Sequence, residues 1–150
     1  MKILVSACLL GTCCKYNGGS NAHPVIEAFL KGHEVIPVCP EVMGGLPVPR
    51  EPAEIVEGRV INRLGISVDR EYRKGAALTL DIALRERPEL CLLQSRSPSC
   101  GLGQVYDGSF SGRLRSGNGV TAKLLLEHGF HVQDSASLIA EYEKKEATEA

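Results

Sequence analysis

Short apolar segments alternate with helical patterns along this chain, and that alternation constrains its fold more than any other feature. Lys2 to Leu10, KILVSACLL, is a continuous apolar run that ends at Gly11. A run of that kind fits a strand buried on both faces, as in parallel sheets. His23 to Leu30, HPVIEAFL, follows Asn21 as N-cap and carries Pro24 at an early helical position, with Gly32 closing the helix. Glu34 to Val38, EVIPV, reads as a second strand and leads into Cys39-Pro40-Glu41.

The next stretch, GGLPVPREP, holds too many prolines for a helix. Ile55 to Ile61, IVEGRVI, reads as a small hairpin around Glu-Gly. From Asp69 to Arg87, Tyr72, Ala76, Leu80 and Leu84 recur four apart, and Pro88 ends the pattern. Leu90 to Leu93 is a third strand. Residues 101 to 118 are glycine-rich and read as a long loop or a short hairpin around VYDGSF. Gly119 to His128 is a helix, Phe130 to Gln133 a fourth strand, and Ser135 to Lys145 a last helix, with a frayed tail from about residue 146. The expected fold is α/β: a Rossmann-like three-layer sandwich with a mostly parallel sheet of four or slightly more strands and helices on both faces. Residues 1–150 are expected to form one domain.

No apolar run is long enough to span a membrane. Val5-Ser6-Ala7-Cys8 looks like a lipoprotein cleavage site, but seven residues are too few for a signal segment. The expected compartment is therefore the reducing cytoplasm. There the six cysteines are better read as ligands, catalysts or core residues than as disulfides. The net charge of −1 gives no global case for nucleic acid. Locally, Arg96, Arg113, Arg115 and Lys123 against Asp107 leave a surplus of three positive charges between residues 94 and 123.

In an open parallel sheet, sites lie beyond the carboxyl ends of the strands. Cys8 ends the first strand, Cys39 ends the second, and Cys100 lies in the loop after the third. Three strands thus each deliver a cysteine to one sheet edge. Cys13 and Cys14 follow Cys8 in its loop, and Cys91 sits inside a strand as a core residue. Paired zinc knuckles, a redox C-x-x-C and a phosphatase Cys-x5-Arg loop are all absent. Spacing alone leaves an iron–sulfur cluster, zinc, a nucleophilic or redox cysteine, and core packing open.

Longer motifs narrow that choice. VSACLLG (5–11), CCKYNGG (13–19), PVCPEVMGGLPVPREPAEI (37–55), SPSCGLGQVYDGSFSG (97–112) and GVTAKLL (119–125) closely resemble the thiouracil desulfurases, collinearly from about residue 3 to 133. The resemblance implies a 4Fe–4S cluster on Cys8, Cys39 and Cys100 with one iron open, and Cys14 as a spare ligand or proton carrier. It implies replacement of a thione sulfur by oxygen on a thiolated pyrimidine, thiouracil or thiouridine, without net redox change. The sulfur leaves onto the open iron. The partner is a small thiolated pyrimidine or thiolated transfer RNA.

Attack by water needs a base, and Glu41 stands two residues from Cys39. Ser97 is a candidate catalytic donor. Ser99, Asn17 and Arg50 are candidate substrate contacts, Arg50 also as a loop anchor. Gly44, Gly45 and Gly101 are expected to let backbone approach the cofactor. The family's usual Cys-Arg-Tyr-Asp-Gly reads Cys14-Lys15-Tyr16-Asn17-Gly18 here, which loses a guanidinium fork and a carboxylate. The histidines form no ligand spacing. Two other classes compete: a metal- or cluster-bearing RNA-binding module without turnover, and a thiol-redox protein using Cys8 with Cys13 or Cys14. Glu41 and the serine-rich loop favour the enzyme, since a carrier needs neither.

Overall fold

The computed structural model describes residues 1–149. Four parallel strands form the central sheet in the order β2-β1-β5-β8: β1 (Lys2–Ser6), β2 (Glu34–Val38), β5 (Leu90–Leu93) and β8 (Val132–Asp134). The sheet is thus parallel throughout. Pro37 is tolerated in β2 because that strand lies at an edge.

The apolar runs are continuous because both faces of the sheet are covered. Ile3, Val5, Leu90 and Leu92 point to one side, where Ile26 and Leu30 of α1 (Pro24–Leu30) and Leu138 of α5 (Ser135–Glu149) pack on them. Leu4, Cys91 and Leu93 point to the other side. They meet Ala83 of α3 (Asp69–Glu86) and Ala122 and Leu125 of α4 (Val120–Glu127). Ile3, Leu4, Leu92, Leu93 and Leu125 are fully buried. Each such side chain contributes about 1.5–3 kcal/mol of transfer free energy.

Two hairpins stand outside the sheet: β3 (Ala53–Val56) with β4 (Arg59–Asn62), and β6 (Gln104–Tyr106) with β7 (Leu114–Ser116). The first turns through Glu57 and Gly58, both at positive φ, the geometry of a two-residue hairpin loop. Ala53, Ile55, Val60 and Val105 from these hairpins close a third cluster on Tyr72 of α3.

Several local boundaries differ from the sequence reading. The first strand stops at Ser6, and Ala7–Leu10 forms a 3-10 turn that ends on Gly11 in the left-handed region. The N-cap of α1 is His23, whose Nδ1 accepts the Val25 N–H at 3.1 Å; Asn21 lies outside the helix. The last helix runs past the expected Lys145 to Glu149. Its final turn consists of residues that tolerate helix, and the Thr148 hydroxyl donates to the Lys144 carbonyl at 2.9 Å. Ala150 lies outside the described residues.

Candidate functional site

Because β2, β1 and β5 are adjacent and parallel, their carboxyl ends share one edge. Cys8 follows β1 in the 3-10 turn, Cys39 follows β2 as the N-cap of α2 (Pro40–Met43), and Cys100 lies in the loop after β5. All three line one cavity of about 860 Å³, together with Cys14, Glu41, Arg50 and Ser97. Small-ligand sites usually span roughly 300–1,000 Å³, and this one falls in that range.

Each cysteine loop is held by its own hydrogen bonds. In the Cys100 loop, Ser97 Oγ accepts the backbone N–H groups of Ser99 at 3.0 Å and Cys100 at 3.1 Å. The N-terminus of α4 then binds the same loop from below. Val120 N–H donates to the Pro98 carbonyl and Thr121 N–H to the Ser99 carbonyl, both at 2.8 Å. The unpaired donors of a helix start thus satisfy the carbonyls of the Cys100 loop.

Cys39 and Glu41 are set by close packing of α2 on α3. A Cβ on Gly44 would stand 1.9 Å from the Glu71 carbonyl oxygen, and one on Gly75 would stand 1.8 Å from that of Pro40. Gly44 therefore serves helix packing, which corrects its expected approach to a cofactor. Gly101 likewise abuts the Ser97 and Gln104 carbonyls of its own loop, and Gly45 supplies a positive φ.

Glu41 is the polar centre of the cavity. Its carboxylate pairs with Arg50, whose Nε lies 3.0 Å from Oε2 and whose Nη2 also donates to that oxygen. Ser97 Oγ donates to Oε1 at 3.3 Å. Arg50 donates further to the Cys14 carbonyl at 3.0 Å and the Pro47 carbonyl at 3.2 Å. With its fork filled by protein acceptors, Arg50 is an anchor of loops and of Glu41. Loop anchoring was one of its two expected roles, and Arg50 also lines the cavity.

Two other expected substrate contacts point elsewhere. Ser99 is fully buried, and its hydroxyl bonds Thr121 Oγ1 at 2.8 Å, because the turn that aims Ser97 and Cys100 at the cavity aims Ser99 at α4. Asn17 is exposed and off the cavity wall; its Oδ1 accepts the Gly19 N–H at 2.9 Å. Either asparagine or aspartate can make that local turn, so the departure at this position leaves the loop geometry intact. Lys15, the other departure, lines the cavity.

The sequence reading missed a neighbour of Cys8. Asn21 donates its backbone N–H to the Cys8 carbonyl at 2.8 Å and its side-chain Nδ2 to Cys8 Sγ at 3.4 Å. Its assignment as a helix cap hid this contact.

The four cavity cysteines are free thiols. Burial pushes the Cys8 and Cys100 thiols up from their ordinary range. Cys14 is pushed up to about 12 by burial and by Cys39 beside it. Among the described residues, no three His, Cys, Asp or Glu side chains converge closely enough to hold a single metal ion. Cys8, Cys14, Cys39 and Cys100 all line the cavity wall. The donor set, all soft sulfur, fits an iron–sulfur cluster.

Parallel sheet, cysteine-lined cavity and the carboxylate–guanidinium pair beside it define an α/β protein with a polar, sulfur-bearing cavity at its strand ends. The chain matches the model of the 2-thiouracil desulfurases over residues 3–136, and it belongs to that family. It is 40% identical to the uncharacterized protein YbbK of Bacillus subtilis (strain 168) over 140 residues, 87% of this chain and 93% of that one. It is equally similar, at 40% identity, to the solved structure of a 4Fe–4S-dependent thiouracil desulfidase, TudS. The TM-score is 0.84, with 93% of each chain covered. No helix among the described residues is long and apolar enough to cross a membrane.

Proposed function

We propose that this protein is an iron–sulfur dependent desulfurase that replaces the thione sulfur of a thiolated pyrimidine with oxygen. One observation carries the reading: three cysteines from three adjacent strand ends share a cavity with the Glu41–Ser97–Arg50 group. Family membership and the likeness to the TudS structure support it.

Cys8, Cys39 and Cys100 supply three ligands to a 4Fe–4S cluster, which leaves one iron of the four without a protein ligand. When bound, the cluster supplies a Lewis acid for the thione and an acceptor for its sulfur. Glu41 takes a proton from the attacking water as its oxygen bonds the ring carbon. Arg50 holds the carboxylate in place for that transfer. Ser97 turns its hydroxyl from Glu41 Oε1 to the substrate or the departing sulfur. The carbon–oxygen bond replaces the carbon–sulfur bond, and no oxidant or reductant is needed. We read the protein as a cytoplasmic monomer, acting on a free base, a nucleoside or a thiolated transfer RNA.

The test is anaerobic reconstitution, followed by iron and sulfide analysis and incubation with 2-thiouracil, 4-thiouracil and 4-thiouridine. The expected result is a bound cluster and oxygenated product from at least one of them. A loaded protein that releases no sulfur from any would overturn the function. A cluster held equally well by Cys39→Ala would overturn the ligand set.

A further inference from the structure

The amide of Asn21 has no role in the reaction described above, yet it contacts the sulfur of a proposed ligand. Asn21 comes at the end of the loop that leaves the 3-10 turn and returns to start α1. It grips Cys8 at two points, the carbonyl at 2.8 Å and Sγ at 3.4 Å. The backbone bond holds the Asn21 main chain beside Cys8, where its amide reaches the sulfur. Among the described residues, no other side-chain N–H donates to a cysteine sulfur of the cavity. Cys39 Sγ instead donates to the Cys14 carbonyl oxygen, at 4.0 Å.

We infer that Asn21 is a positioning and tuning residue, donating Nδ2–H to Cys8 Sγ when that sulfur is bound to iron. A metal-bound thiolate has lost its proton and can only accept, so the amide must present nitrogen to it. A hydrogen bond to a ligand sulfur draws electron density from it and favours the more reduced cluster, which raises the reduction potential. The same withdrawal makes the iron a stronger Lewis acid toward a thione. Asn21 thus ties the loop of residues 11–20 to the electronic state of the site. This rests on Cys8 being a ligand and not on turnover.

The experiment compares wild type with Asn21→Ala, Asn21→Asp and Asn21→Ser after anaerobic reconstitution. It reads the midpoint potential, the visible and electron paramagnetic resonance spectra, and the rate of iron loss to a chelator. Asn21→Ala is expected to shift the potential negative and speed iron loss several-fold. Asn21→Asp keeps the shape but sets a carboxylate against the sulfur, so its shift should be larger. Asn21→Ser keeps a donor and should recover part of the wild-type value.

If Asn21→Ala fails to fold, the isosteric Asn21→Asp carries the comparison. A wild-type potential in Asn21→Ala or Asn21→Asp would overturn the inference. So would equal shifts in all three variants, which would mark a structural effect. Folded variants that take up no cluster would make Asn21 an assembly residue and overturn the tuning role. Wild type without a cluster would overturn the proposed function together with this inference. A loaded wild type with unshifted variants overturns this inference alone.

Discussion

Ser97 Oγ donates to Glu41 Oε1 at 3.3 Å while accepting the backbone N–H groups of Ser99 and Cys100. One hydroxyl therefore couples the carboxylate after β2 to the cysteine after β5. Ser97→Ala removes both functions. Turnover should fall ~10²-fold or more, the usual cost of a lost reaction-centre donor. The two N–H groups of the turn lose their acceptor, at about 1–3 kcal/mol where water cannot replace it. Cluster content should therefore drop along with the rate. Iron per chain and rate per iron, measured together, separate the two effects. An unchanged rate per iron would remove Ser97 from the reaction.

Glu41 and Arg50 form an ion pair whose side chains are only 15% and 7% exposed. Removing one partner of so buried a pair leaves the other charge uncompensated, typically at about 3–5 kcal/mol. Glu41→Gln and Arg50→Met should each lower the anaerobic thermal midpoint. The double variant should regain much of that loss while staying inactive, because the proton acceptor is still missing. The two single variants should thus be strongly non-additive in stability. Additive losses would show that the pair does not anchor the site.

Gly75 lies in the middle of α3, where a helix gains stability from alanine by about 1 kcal/mol over glycine. Here the sign should reverse. The added Cβ would fall 1.8 Å from the Pro40 carbonyl oxygen, on backbone that cannot swing away. Gly75→Ala should push α2 off α3, carrying Cys39 and Glu41 with it. The expected outcome is a lower thermal midpoint and weaker cluster retention, with helix content by circular dichroism unchanged. A stabilised Gly75→Ala protein would contradict this packing.

How much of this was legible follows a physical division. The strands after which Cys8, Cys39 and Cys100 fall were readable, because burial on both faces forces continuous apolar runs. The shared edge then follows from parallel topology. Glu41 was readable from its spacing to Cys39. The directions of loop side chains were not. Ser97 and Ser99 look alike in sequence, and only the turn geometry sends one to Glu41 and the other to Thr121. Arg50 was read as a substrate contact or a loop anchor, and its acceptors come from residues 14, 41 and 47, a contact set no local pattern reports. Asn21 was hidden by a competing rule. Asparagine before a helix reads as a cap, and here the His23 ring took that role.

Cys14 and Cys91 test whether position or mere burial makes a cysteine a ligand. Both are buried, and burial pushes both thiols up to about 12. Cys91 is fully enclosed in β5, packed on the α3 and α4 side of the sheet and away from the cavity. Cys91→Ala should keep full iron content and lose about 1 kcal/mol of stability, an ordinary core change. Cys14 lines the cavity beside Cys39, so it is the harder case. With Cys8, Cys39 and Cys100 as the ligand set, Cys14→Ser should also keep its iron, whereas serine at any of the three should lose most of it. Iron and sulfide analysis on all five serine or alanine variants, reconstituted side by side, gives the answer. Loss of the cluster in Cys14→Ser with retention in Cys100→Ser would move the third ligand from the loop after β5 to the loop after β1. The turn held by Ser97 and the start of α4 would then have no cofactor to serve.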